Sequence, residues 1–259
     1  MSDAQIHPTA LVDPSAKLGA GTAVGPYCIV SADVVLGEAC WLQHHVTVCG
    51  PSRIGARNKF YAYCSIGQQT QDLKYAGEPT YLEMGDENVF REFCTVNRST
   101  TSDGKTIVGH RGNFLAYSHV GHDCVVGDGV IFSNNGTLGG HVTFGNHAIV
   151  GGLTAVHQFC RIGDYAILGG CSKITQDVPP FMIADGNPAD IRGVNLVGLE
   201  RHGFGTESVK AIKEAFRLIY RSKLNTKQAI AAIHEKLEAR EEITQIVQFI
   251  EGTQRGIIR

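Results

Sequence analysis

Of the twenty-nine positions from Ile6 to Ile174 whose numbers are multiples of six, twenty-six carry a bulky apolar side chain, among them Val24, Leu42, Phe60, Val96, Val120, Phe144 and Leu168. Only Asp72, Glu78 and Ser102 interrupt the series. A helix repeats every ~3.6 residues and a flat strand every two. A period of six instead predicts short strands separated by a bend every six residues.

Two further slots support this pattern. The residue after the apolar one is Gly at fourteen places, from Gly19 to Gly169, which suits a bend because Gly accepts positive φ. Four residues after the apolar slot stands a small side chain, such as Ala16, Thr22, Ser118 or Thr154. One large and one small inward residue per repeat fit a narrow prism with three faces and about eighteen residues per turn, coils stacking at ~4.8 Å. Nine or so turns would make a rod on the order of 40 Å long, mainly β, with open strand edges only at its two ends.

Eight cysteines first suggest disulfides or a metal, but six of them (Cys28, Cys40, Cys64, Cys94, Cys124 and Cys160) fall in the small slot. No Cys-x-x-Cys pair occurs, so buried structural thiols are expected. A formal net charge of -2 gives no hint of nucleic-acid binding. The sequence shows neither a signal peptide nor a membrane span, and a cytoplasmic location is expected.

The repeat is lost over residues 68–83 and again over 98–106, giving loop insertions on a rigid scaffold. The first offers Gln71, Asp72, Lys74 and Tyr75 to a polar ligand; the second reads as a surface excursion. The β region is placed at residues 1–190 and a small α-helical domain at 191–259. There Thr206 and Thr226 are candidate caps for two helices, and Ile243, Ile246, Val247 and Ile250 mark a third. Lys210, Lys213, Arg217 and Arg221 form either a solvated face or a dock for an acidic partner.

Nine of the eleven histidines lie in the repeat, and none occupies an inward slot. His122 and His157 fall at bends, His119 and His141 at outward positions. His119-Val120-Gly121-His122-Asp123 is the strongest cluster. A neutral imidazole can take a hydroxyl proton, with a carboxylate fixing its tautomer. One turn on, Leu138-Gly139-Gly140-His141 offers open backbone N–H groups for an oxyanion. The same ridge could bind zinc between subunits or be a passive surface, and spacing alone leaves all three open.

The hexapeptide repeat resembles the left-handed β-helix acyltransferases. The stretches Gln71-Asp72-Leu73-Lys74-Tyr75-Ala76-Gly77-Glu78-Pro79-Thr80, His119-x-x-His122-Asp123-Cys124, Thr154-Ala155-Val156-His157-Gln158-Phe159-Cys160 and Gln176-Asp177-Val178-Pro179-Pro180 are similar to the UDP-N-acetylglucosamine acyltransferase family. The resemblance runs nearly end to end. It implies a left-handed parallel β-helix followed by the helical domain, and the first step of lipid A biosynthesis. An R-3-hydroxyacyl group would pass from acyl carrier protein to the 3-hydroxyl of UDP-N-acetylglucosamine. It further implies His122 as general base, Asp123 as its orienting carboxylate and the Gly140 N–H as oxyanion donor. Asp72, Lys74, His119, His141, His157, Gln158 and Arg201 match binding positions, Asn195 one near the pantetheine arm, and Gly170 one where a side chain limits acyl length. No metal or organic cofactor is implied, because the thioester supplies the activated acyl group. Active sites between the subunits of a homotrimer are implied too.

Two positions depart from the family pattern. Asn97 stands near the sugar site where members commonly have His, and His202 follows Arg201 where they have a second Arg. Some relatives acylate a 3-amino analogue and so form an amide. The later N-acyltransferase with a similar repeat carries an N-terminal uridine-binding domain, for which a repeat starting at Ile6 leaves no room. A hexapeptide carbonic anhydrase needs a His-x-x-x-x-His pair, which these histidines do not supply.

Overall fold

The computed structural model describes residues 3–259. Its body is a three-sided parallel coil. The first sheet has eleven strands, from Gln5–Ile6 to Ala189–Val194; the second has nine, from Leu11–Val12 to Lys173–Ile174; the third has eight, from Lys17–Leu18 to Arg161–Ile162. The apolar slot points inward on every face. Phe60, Phe90, Phe114 and Phe132 form one interior column with ring centroids 5.5, 4.3 and 4.8 Å apart. Each ring is essentially sealed from water, and such burial is typically worth ~1.5–3 kcal/mol per side chain.

The two interruptions are whole multiples of the repeat. Lys59 pairs with Val89, thirty residues on, and Val89 pairs with Asn113, twenty-four on, where the undisturbed coil uses eighteen. The insertions therefore leave the six-residue register intact on both sides. Part of each expected loop is strand: Tyr81–Met84 pairs with Lys105–Val108, so the loops proper are residues 69–80 and 98–104.

Glycine after the apolar slot has a different cause from the expected one. Positive φ falls two residues later, mostly on non-glycines such as Tyr117 (64°), Asp123 (59°) and Leu153 (58°). That conformation costs roughly 1–2 kcal/mol at a non-Gly residue. Here it turns each corner N–H onto the adjoining coil, as Leu153 N does to the Asn134 carbonyl at 3.0 Å. Gly37 shows what the glycines do: a Cβ there would lie 2.5 Å from the Gly55 carbonyl carbon and 2.6 Å from the Ala56 nitrogen. Coils at strand spacing leave no room for it.

The small slot likewise does more than fill space. Cys40 donates to the Gly55 carbonyl at 3.1 Å, Cys124 to Gly139 at 3.1 Å and Thr22 to Gly37 at 3.0 Å. These thiols are buried and unpaired. Burial pushes the Cys124 thiol up to about 12 and that of Cys160 up to about 11.

The chain passes from the coil to the helical domain through a hairpin. Met182–Gly186 adds parallel to Ile167–Leu168, and Ala189–Val194 returns antiparallel. Four helices follow: α1 (Leu196–Arg201), α2 (Thr206–Tyr220), α3 (Thr226–Lys236) and α4 (Glu241–Glu251). α1 was not anticipated. α2 and α3 are preceded by Gly205 and Asn225 rather than capped by Thr206 and Thr226, with Asn225 and Gln228 forming a capping box. Among the described residues no helix is long and apolar enough to cross a membrane.

Candidate active site

Three edges join the faces, and one of them carries most of the expected site. Between the second and third sheets lie both inserted loops, then the corner His122–Asp123, then Gly140–His141, then Gln158–Phe159. Coiling stacks these segments along a single line.

His122 Nδ1 lies 2.7 Å from Asp123 Oδ2. An ionised carboxylate can only accept, so Nδ1 carries the proton and Nε2 keeps its lone pair. His141 also holds positive φ, 60°, rather than a simple outward strand position. Its N–H reaches the His122 carbonyl at 2.9 Å, which locks the two corners together. The His141 ring meets that of His122 edge-on at 5.1 Å, and its Nε2 lies 3.7 Å from Asp123 Oδ2. Phe159 stacks on the other side of His141 at 4.7 Å. The His122 imidazole lies against Gly140, where a Cβ would collide with its Cε1 and Nε2. Among the described residues no group accepts from the Gly140 N–H. A basic nitrogen and a free backbone donor thus sit side by side.

The Asp123 side chain is 9 % exposed. Burial pushes its carboxyl up, but hydrogen bonds from Ser99, His122 and the Thr100 N–H (2.9 Å), together with His141, outweigh this. The net result lies below the ordinary carboxylate range, so the group is ionised at neutral pH. The Asp123 N–H is held by Thr106 Oγ1 at 2.8 Å. Ser99, Thr100 and Thr106 all come from the stretch 98–106, which the sequence reading passed over as surface. Nothing in that polar run marks which residues face inward; the stacking does. His119, one strand before, has Nδ1 2.7 Å from Thr95 Oγ1. Burial lowers its pKa, reinforced by repulsion from His122, which favours the neutral ring.

The first loop is braced by its own acids. Asp72 Oδ1 accepts from Lys74 N at 2.9 Å, and Glu78 accepts from Ala76 N at 2.9 Å, leaving Leu73 fully exposed at the tip. Thr70 and Thr100 join the two loops, hydroxyl to hydroxyl, at 2.6 Å. Asn97 is buried and donates to the Gln69 carbonyl at 2.9 Å, so it anchors the first loop's base.

The edge therefore gathers Asp72, Lys74, His119, His122, Asp123, Gly140, His141, His157 and Gln158. Gly170 lies elsewhere, on the edge between the first and second sheets, above Gly152. Asn195 is buried, accepting from Gly198 N at 2.9 Å as the α1 N-cap and donating to the Tyr165 carbonyl at 2.8 Å. Arg201 is exposed in the last turn of α1, and His202 packs on the His147 ring at 4.5 Å. One set of metal-capable groups occurs among the described residues: ligand atoms of His122, Asp123 and His141 lie within 4.8 Å of one another. In the geometry present, the hydrogen-bonded dyad occupies two of the three.

Comparison with known proteins shows the family of the chain. The chain is 44 % identical over 257 residues, 99 % of its length and 100 % of the relative's, to the acyl-[acyl-carrier-protein]–UDP-N-acetylglucosamine O-acyltransferase of Thiobacillus denitrificans. The chain belongs to that acyltransferase family. Residues 177–258 match the family's model described as UDP N-acetylglucosamine O-acyltransferase, domain 2. The structure superposes on LpxA of Acinetobacter baumannii with a TM-score of 0.95 at 41 % identity, covering 98 % of this chain and 99 % of that one. For the UDP-N-acetylglucosamine acyltransferase LpxA of Bacteroides fragilis the values are 0.96, 37 %, 98 % and 100 %. As in LpxA structures of the family, the β-helix is left-handed.

Proposed function

We propose that this enzyme transfers an R-3-hydroxyacyl group from acyl carrier protein to the 3-hydroxyl of UDP-N-acetylglucosamine, opening lipid A biosynthesis in the cytoplasm. The observation that carries the reading is the oriented His122–Asp123 pair beside the unoccupied Gly140 N–H. His122 Nε2 takes the proton from the sugar hydroxyl as its oxygen attacks the thioester carbonyl. The oxyanion accepts from Gly140 N–H. Collapse breaks the C–S bond, and the departing pantetheine sulfur recovers the proton from the His122 imidazolium. The thioester supplies the driving force, so the sequence of steps calls for no metal or organic cofactor.

In this reading Asp72, Lys74, His119, His141, His157 and Gln158 line the path of the nucleotide sugar and the acyl donor along the edge between the second and third sheets. Arg201 meets the donor, and Asn195 holds α1 against the pantetheine arm. Residues 1–190 carry the reaction and 191–259 the carrier-protein contact. Gly170, on a different edge from His122, would line the acyl groove of a site completed by a neighbouring chain in a homotrimer. An exposed ridge supports that assembly: Tyr27, His45, Tyr63, Phe93 and Tyr117 stack along Gly170's edge at 5.0, 5.1, 4.9 and 4.9 Å. Tyr27 and Tyr117 are 59 % and 55 % exposed in the single chain.

Purified protein offered 3-hydroxyacyl carrier protein should acylate UDP-N-acetylglucosamine to an alkali-labile ester. A product formed only from the 3-amino analogue, stable to alkali, would replace this reading by N-acylation.

A further inference from the structure

We infer that Ser99 is a positioning residue for this reaction, fixing the Asp123 carboxylate so that Asp123 can hold His122. This rests on the reading of His122 as the base and adds a residue to it. Ser99 Oγ donates to Asp123 Oδ1 and accepts from the Thr101 N–H at 3.1 Å, and Ser99 has no exposed surface. The Thr100 N–H takes Oδ2 at 2.9 Å, the same oxygen that receives His122 Nδ1.

The two donors together set the plane of the carboxylate. Without Ser99, Oδ1 loses its donor and the carboxylate can turn about its Cβ–Cγ bond, carrying Oδ2 with it. The direction of such a pivot matters, because His141 Nε2 stands 3.7 Å away as a competing partner. A carboxylate turned toward His141 releases Nδ1 of His122, and with it the tautomer that leaves Nε2 free to accept. Gly104 shows that the loop is shaped around this contact. A Cβ there would run into Ser99 Oγ and lie 2.7 Å from the Thr101 carbonyl oxygen. Thr106 completes the cradle from the loop's far end through the Asp123 N–H. The loop 98–104 thus reaches across a coil to orient a catalytic pair to which it contributes no reacting group.

The test is Ser99→Ala in the full-length assembled enzyme, read by steady-state kinetics and by the His122 Nδ1 proton resonance in a histidine-labelled sample. Loss of one charge-assisted donor to an ionised group predicts a kcat lower by roughly tenfold. KM for both substrates should stay within about twofold, because Ser99 touches neither. The Nδ1 proton signal should broaden or move upfield as the bond to Asp123 weakens. A raised KM with kcat and the Nδ1 signal unchanged would show that Ser99 merely shapes the loop, overturning the proposal. An Ala variant indistinguishable from wild type overturns it too. His122→Ala run alongside separates the layers: full turnover in that variant removes the base itself, whereas a dead His122→Ala with a normal Ser99→Ala removes only the role of Ser99.

Discussion

Substituting Gly170 by Met should shorten the acyl chain that the enzyme prefers without harming the fold. A Cβ at Gly170 would meet only the Gly152 carbonyl oxygen at 3.4 Å and its nitrogen at 3.9 Å, which is ordinary contact. The position lies outside the set of positive-φ glycines, so a side chain introduces no backbone strain. Replacing Gly there should stabilise slightly through the unfolded state, by up to ~1 kcal/mol. The Met side chain would run outward along an exposed edge, into the space assigned to the acyl tail. A wild-type preference for about fourteen carbons and a variant preference for about ten would mean four methylenes excluded. At ~0.8 kcal/mol each, the long donor loses ~3 kcal/mol, on the order of a hundredfold in kcat/KM. The shorter donor should keep its rate, since it never reached that space. Competition between the two acyl carrier proteins in one reaction, with products resolved by mass, measures the ratio directly. An unchanged ratio in a normally folded variant would show that Gly170 does not line the groove.

Three more predictions concern groups already placed. Cys124→Ser should retain near-normal activity and cost no more than about 1–3 kcal/mol, because a serine hydroxyl can take over donation to Gly139 as Thr22 and Thr154 do to their own corner carbonyls. In native protein at neutral pH, a thiol reagent should leave the six small-slot cysteines untouched; fast modification of Cys124 would contradict its burial. Asp123 has a folded-state pKa below its unfolded value, which is ~3.9, so the unfolded chain binds the proton first as pH falls. Its contribution to stability is complete above about pH 5 and is lost as pH drops through ~4 toward the lower folded value. Urea unfolding across that window should show a shallower loss for Asp123→Asn than for wild type, and parallel curves would refute the shift.

Much of the scaffold was legible because its interior is one-dimensional. One bulky and one small inward residue recur every six, and both insertions preserve the register, so the period survives across them. The reason for the glycines was not legible: close coil stacking and positive φ both select Gly, and only the coordinates separate them. Which edge a residue joins depends on insertion length, so the alignment of the two loops with the His122 corner was not legible; beyond them the coil is uninterrupted, and eighteen residues per turn already stack His122 with His141 and set Gly170 on another edge. The hairpin at Met182–Val194 escaped because Pro179, Pro180 and Pro188 mask its strand pattern. Ser99 escaped because a buried donor in a polar loop looks like any other exposed serine until the coil beneath it is drawn.

The central claim is that His122, oriented by Asp123, removes the proton from the acceptor hydroxyl. Turnover of His122→Ala, measured with saturating acyl carrier protein thioester and nucleotide sugar, tests it most directly, provided that the particle mass and nucleotide-sugar binding match wild type. General-base assistance is typically worth ~10²–10⁴-fold, and lost positioning adds to it, so kcat should fall by several orders of magnitude with the assembly intact. A rate within about threefold of wild type, far inside that range, would contradict the account.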